Sequence, residues 1–174
     1  MANHFDLRAV ARPVLEELAT SCGETVHLGM LEDTHVRYLD CIESPALLRV
    51  GGRVGLRTPA YASSLGKAML ATLSDDAVRA LFPEEDLPAV TARTVTTRSA
   101  LLAELRRVRE RGYAQNREEV EPGVASVAMA VPASARGVVA AMSVAAPVSR
   151  SSADRVRDHA DFLTRATSRL ADLL

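Results

Sequence analysis

Two apolar runs in the last third of the sequence constrain this chain more than any other feature. "VASVAMAV" (124–131) and "VVAAMSVA" (138–145) are apolar on both faces of an extended backbone. Both strands must therefore be central in a sheet and covered on each side. The intervening "PASARG" predicts a hairpin between them. The two faces differ in bulk: Val127, Met129 and Val131 alternate with Ser126, Ala128 and Ala130, and Val138, Met142 and Val144 alternate with Val139, Ala141, Ser143 and Ala145. The bulky face suits packing under helices. The small face, with two hydroxyls, reads either as the floor of a cavity or as a surface packed closely against another backbone.

Residues 6–21 place Leu7, Val10, Ala11, Val14, Leu15 and Leu18 at helical spacing behind a capping Asp6, with Pro13 predicting a kink or a later start. "ETVHLGML" and "HVRYLDCI" predict a second hairpin around "EDT". Residues 43–60 read as a Gly-punctuated loop with a short strand at "ALLRV", along which Arg49, Arg53 and Arg57 recur, either solvated or drawing an anion toward a pocket. Ser74 opens a short helix through Leu81, and 83–96 is a polar connection. Thr97 or Ser99 opens a long helix that stops at Gly112, and residues 151–174 form a final amphipathic helix through Val156, Ala160, Leu163, Ala166, Leu170 and Leu173. Antiparallel strand pairs among such helices predict an α+β fold. The helices at 6–21 and 151–174 are expected to share one sheet face, since their apolar stripes need a common partner.

"TPAYASSLGKAML" (58–70) raises a chemical question, because Gly-Lys at a helix entrance suggests a phosphate cradle. The spacing excludes a P-loop: Tyr61 stands where the first glycine is needed and Ala68 where the hydroxyl is needed. What remains is a helix capped by Ser63 or Ser64. Either it is an ordinary helix with Lys67 in solvent, or its uncovered amides attract a carboxylate.

A net charge of −1 excludes a chain that grips DNA by a basic surplus, although a local basic patch stays open. Two cysteines are too few for a disulfide framework. With no apolar stretch of membrane-spanning length and no signal-peptide core, a cytoplasmic location is expected. Nucleophile-elbow and zinc-helix motifs are absent. His27 and His35, near Cys22 and Cys41, match no familiar zinc spacing. The adjacent Glu118 and Glu119 point opposite ways on an extended chain; one is expected to orient a neighbour and the other to be solvated. No catalytic residue, metal or cofactor is expected.

Several blocks taken together, "LRAVARPVLEELATSCGETVHLGMLEDTHVRYLDCIES", "TPAYASSLGKAMLATLS", "TTRSALLAELRRVRERGYAQNREEVEPGVASVAMAVP" and "GVVAAMSVAAPVSR", resemble the effector-binding domain of the IclR family of bacterial transcriptional regulators. The resemblance runs from about Leu7 to Leu174. It implies a single GAF-like α+β domain over 1–174, with a curved antiparallel sheet, helices on the convex side and a small-molecule pocket on the concave side. It also implies a homodimer or homotetramer, with DNA contacted only through an N-terminal winged helix-turn-helix that these residues do not include. Carried over residue by residue, the family's pocket falls on Leu47, Val50, Thr58, Ser64, Leu65, Asn116 in the turn after the long helix, Ser126, Ser143 and Ala145. Where members that bind small keto acids carry an aspartate, a cysteine and a second serine, this chain has Asn116, Ser126 and Ala145. That pattern suits a larger, partly apolar organic acid better than a glyoxylate- or pyruvate-like one. Two other readings remain: an oligomerisation module with a vestigial pocket, and an enzyme using Glu119 as base.

Overall fold

Local capping chemistry sets most element boundaries in the computed structural model, which describes residues 6–133 and 137–174. Helix α1 (Leu7–Cys22) begins where the Asp6 side chain accepts the Ala9 N–H and ends at Gly23, whose φ of 70° closes the last turn. Pro13 lies inside α1 and does not delay its start. Ser63, Ser74, Thr97 and Ser152 cap α2 (Ser64–Leu70), α3 (Asp75–Leu81), α4 (Arg98–Arg111) and α5 (Ala153–Leu173) in the same way. Gly112, at φ 88°, ends α4.

Strands β1 (Thr25–Glu32), β2 (His35–Ile42), β3 (Arg57–Pro59), β4 (Ala114–Arg117), β5 (Val124–Ala130) and β6 (Ala140–Pro147) form one antiparallel sheet in the order β3-β2-β1-β6-β5-β4. The sheet curls into a half-barrel. The two hairpins join at β1 and β6, with Val26 opposite Val144, which leaves β2, β1, β6 and β5 in the interior of the sheet. Residues 134–136 of the predicted "PASARG" turn lie outside the described residues.

Side-chain bulk sorts the two faces. Val26, Leu28, Val127, Met142 and Val144 pack against Leu7, Val14, Leu18, Leu163 and Leu170, so α1 and α5 share one face. On the opposite face Val36, Tyr38, Ala128 and Ala141 meet Leu65, Met69 and Leu70 of α2, and Leu101 and Leu105 of α4 extend that core.

Three expectations need correction. "ALLRV" is not a strand; the short strand lies later, at Arg57–Pro59. In residues 43–56 side chains hold the middle, where Thr25 Oγ1 donates to the Val50 carbonyl at 2.6 Å and Arg150 Nη2 to the Leu48 carbonyl at 2.7 Å. Backbone bonds hold the end, where the Gly55 N–H donates to the Tyr38 carbonyl at 3.1 Å and the Tyr38 N–H to the Leu56 carbonyl at 3.2 Å. Asn116 lies on an edge strand, β4, and not in a turn. Leu173, placed in the α5 stripe by periodicity, is exposed at the fraying helix end.

Candidate functional site

The small face of β5 and β6 does two jobs. Beneath α2 it is packed core, where Ala128, Ala141 and Gly29 let the helix approach; a Cβ at Gly29 would sit 3.1 Å from Leu65 Cδ1. Toward the sheet end that carries Ser126 and Ala145, the same face leaves a cavity. Strand register builds it from two rows of facing residues. Asn116, Ser126 and Ala145 lie side by side across β4, β5 and β6, and His27 lies opposite Ser143 across β1 and β6. The start of α2 covers these rows with Ser63, Ser64 and Leu65, and Tyr38, Arg53, Val120 and Val124 complete the wall.

The cavity thus gathers Ser64, Leu65, Asn116, Ser126, Ser143 and Ala145 from the expected set. The other three expected residues lie elsewhere. Leu47 is 100% exposed. Val50 is buried with its carbonyl bound by Thr25, and Thr58 is buried in β3 opposite Val36. His27, Tyr38, Ser63, Val120 and Val124 were not anticipated, because nothing local marks which side of an irregular loop or bulged strand turns inward. β2 carries such a bulge, with Leu28 opposite Asp40 but Gly29 opposite Tyr38.

The cavity's hydrogen bonding is incomplete. Ser64 Oγ and Ser126 Oγ share a bond at 2.6 Å, and Asn116 Oδ1 accepts the Glu119 N–H at 2.9 Å. The Tyr38 and Ser143 hydroxyls and the Asn116 side-chain nitrogen bond to no group among the described residues, although all three residues are buried. At the α2 entrance Ser63 Oγ accepts the Gly66 N–H at 2.9 Å and the Ser63 carbonyl accepts the Lys67 N–H at 3.0 Å. Burial, reinforced by the nearby Arg53 charge, pushes the His27 imidazole down to about 4. Its Nε2 accepts the Arg53 backbone N–H at 3.2 Å, and its ring meets Tyr38 edge-on at 5.2 Å. At neutral pH His27 is an uncharged wall.

The Gly-Lys pair is explained by packing. A Cβ at Gly66 would lie 2.1 Å from the Ala60 carbonyl oxygen, so the glycine lets α2 cross the turn before it. Lys67 does not reach solvent. It is 2% exposed, and its Nζ donates to Glu119 Oε1 at 2.9 Å with Glu104 Oε1 at 3.7 Å. Burial alone would raise the Glu104 carboxyl, but Lys67, Arg107 and Arg111 outweigh it and hold the group below its ordinary range. Glu119 also accepts the Arg117 N–H through Oε2. It is therefore a half-buried anchor for Lys67 beside Asn116. Glu118, at φ 61°, closes the turn by accepting the Gly123 N–H.

The cavity encloses ≈ 30 Å³, space for about one or two waters. The larger, partly apolar acid expected from sequence does not fit it in this conformation. A wider groove of ≈ 650 Å³ runs over Met30, Arg37, Leu39 and Val54, away from the α2 entrance. No described helix is long and apolar enough to cross a membrane, and no metal-binding cluster occurs among the described residues.

Over residues 1–171 the chain matches the family described as bacterial transcriptional regulator IclR C-terminal. It is 33% identical over 168 residues to the HTH-type transcriptional regulator KdgR of Escherichia coli K12, covering 97% of this chain and 64% of that protein. The crystal structure of the C-terminal domain of E. coli KdgR superimposes with a TM-score of 0.85 at 31% identity, covering 97% of this chain and 98% of that one. An IclR homolog from Microbacterium hydrocarbonoxydans, solved with 4-hydroxybenzoate, superimposes with a TM-score of 0.82 at 27% identity, covering 97% of this chain and 68% of that one. This chain thus spans less than two thirds of the first of these relatives.

Proposed function

Since this chain belongs to the IclR C-terminal family of bacterial transcriptional regulators, we propose that its cavity senses a small organic acid or related metabolite. One observation carries the reading: Tyr38, Asn116 and Ser143 line the cavity, and the two hydroxyls and the amide nitrogen bond to no other described residue. Such groups are open to water or to a ligand, so they mark where a ligand's polar atoms can be met. The 4-hydroxybenzoate held by the Microbacterium homolog supports an organic acid as the ligand class.

The small volume sets the mechanism. A metabolite enters only if the cavity widens, and we take the irregular 43–56 loop, which supplies Arg53 to the wall, as the segment that gives way. A ligand that binds the widened state better than the closed one shifts the population toward it. In the full-length regulator we infer that this shift is passed to a winged helix-turn-helix outside these residues, within a homodimer or homotetramer. The test is a thermal-shift and calorimetric screen of small organic acids on the purified chain. Saturable stabilisation, reaching roughly 2.7 kcal/mol at a hundredfold excess over Kd, is expected. If no acid stabilises the chain, the oligomerisation module is left; turnover of an acid would make the protein an enzyme.

A further inference from the structure

The cavity holds one formal charge. Among the residues that line it, Arg53 is the cation, His27 is neutral and no carboxylate is present. The Arg53 side chain is 18% exposed, and its Nη2 donates to Glu121 Oε2 at 2.6 Å. Glu121 itself is 57% exposed and lies outside the lining. The pair therefore joins a cavity-wall cation to a counter-ion that sits largely in water. It also joins the two irregular segments at the cavity: the 43–56 loop, which carries Arg53, and the turn between β4 and β5, which carries Val120 and Glu121.

We propose that Arg53 is the carboxylate-recognising residue of this site, and that an acid ligand takes it from Glu121, parting the two segments as it binds. The inference rests on the sensing function above. An arginine fork suits a planar carboxylate, which it can bond twice. Glu121, once displaced, returns to water at little cost, because exposed ion pairs contribute little. Removing the bridge also releases one tether of the loop, the bonds from Thr25 to Val50 and from Arg150 to Leu48 remaining. The backbone bond from Arg53 to His27 Nε2 lies one residue's reach from the pair and can keep Arg53 beside the cavity during the exchange.

The test pairs each acid with its neutral amide: acetate with acetamide, pyruvate with pyruvamide, benzoate with benzamide, and 4-hydroxybenzoate with 4-hydroxybenzamide. Affinities are measured by calorimetry on the parent chain and on the Arg53→Gln, Arg53→Lys and Glu121→Gln variants, each first checked for cooperative unfolding. The parent should prefer the acid at least tenfold. Arg53→Gln should bind acid and amide alike, and Arg53→Lys should recover part of the preference. Glu121→Gln, lacking the internal competitor, should bind the acid several-fold more tightly and leave the amide unchanged. Retention of the full acid preference by Arg53→Gln, or weaker acid binding by Glu121→Gln, overturns this inference and leaves the sensing function intact. If neither the parent nor Glu121→Gln binds any acid, both fall together.

Discussion

The two faces of the β5–β6 pair share one backbone, and both are covered, yet they are built for different ends. Against α1 and α5 the face is bulky and aliphatic, with Val127, Met142 and Val144 locked into Leu163 and Leu170. Against α2 it is small; Ala128 and Ala141 are packed, while Ser126, Ser143 and Ala145 are left around a space. Buried groups follow the same division. Asp40 on the α1 side is held by Arg12 Nη1 at 2.9 Å, one of its oxygens remaining unpaired. On the α2 side Lys67, Asn116 and the hydroxyl-bearing Tyr38, Ser63, Ser64 and Ser143 are buried. The lesson is that a strand buried on both sides can spend one face on stability and keep the other open for binding.

The strongest way to break this contrast is at Lys67. Lys67→Ala leaves the largely covered Glu119 without its cation, while Glu104 keeps Arg107 and Arg111. It should destabilise the chain by roughly 3 kcal/mol, the low end for a broken buried pair, read as a lower urea midpoint. Because Glu119 donates its N–H to Asn116, ligand affinity should fall as well. Unchanged stability would show that the triad is solvated and that the α2 side is less closed than described.

A sharper comparison uses neighbours on one strand. Met142 and Ser143 point to opposite faces of β6. Met142→Ala should cost roughly 2–5 kcal/mol through the void it leaves. Ser143→Ala, which removes a hydroxyl without a protein partner, should stay within about 0.5 kcal/mol of the parent. Chemical denaturation of the two variants settles the ratio, and equal losses would mean that both faces are core.

Much of this contrast was readable in advance, and the reason is local. Alternation along 124–131 and 138–145 encodes bulk residue by residue, so the sorting of faces needs no tertiary information. The caps at Asp6, Ser74 and Thr97 and the stop at Gly112 act within one turn of the residues they name. What escaped depends on distant partners. "AQNR" is too short and polar to announce β4, which exists because β5 offers it an edge. "ALLRV" has strand composition, but Leu47 and Leu48 are turned to solvent by tethers from Thr25 and Arg150. Lys67 looked like a surface residue because its carboxylate partners lie at 104 and 119 in the sequence.

A smaller effect separates the faces by pH. His27 on the cavity side is held down to about 4, and His159 on the α5 side is also lowered, in both cases chiefly by burial. A depressed folded-state value means that the unfolded chain binds the proton more readily. The neutral histidine's contribution is therefore fully present above about pH 6.5 and is lost as pH falls toward 4, by at most about 3 kcal/mol for His27. Unfolding free energies measured from pH 7 to pH 4 should flatten in His27→Gln more than in His159→Gln. An identical slope in the parent and His27→Gln would show that the cavity wall is hydrated.

The central claim is that the α2 side of the sheet is where this chain meets its ligand. Amide chemical-shift mapping of the isotopically labelled chain during titration with the tightest-binding acid tests it most directly. The account predicts shifts concentrated at Ser64 and Leu65, at Asn116 to Ser126, at Ser143 to Ala145 and around Arg53, with α1 and α5 little changed. Shifts confined to the Met30–Leu39–Val54 groove or to the α1–α5 surface would contradict it.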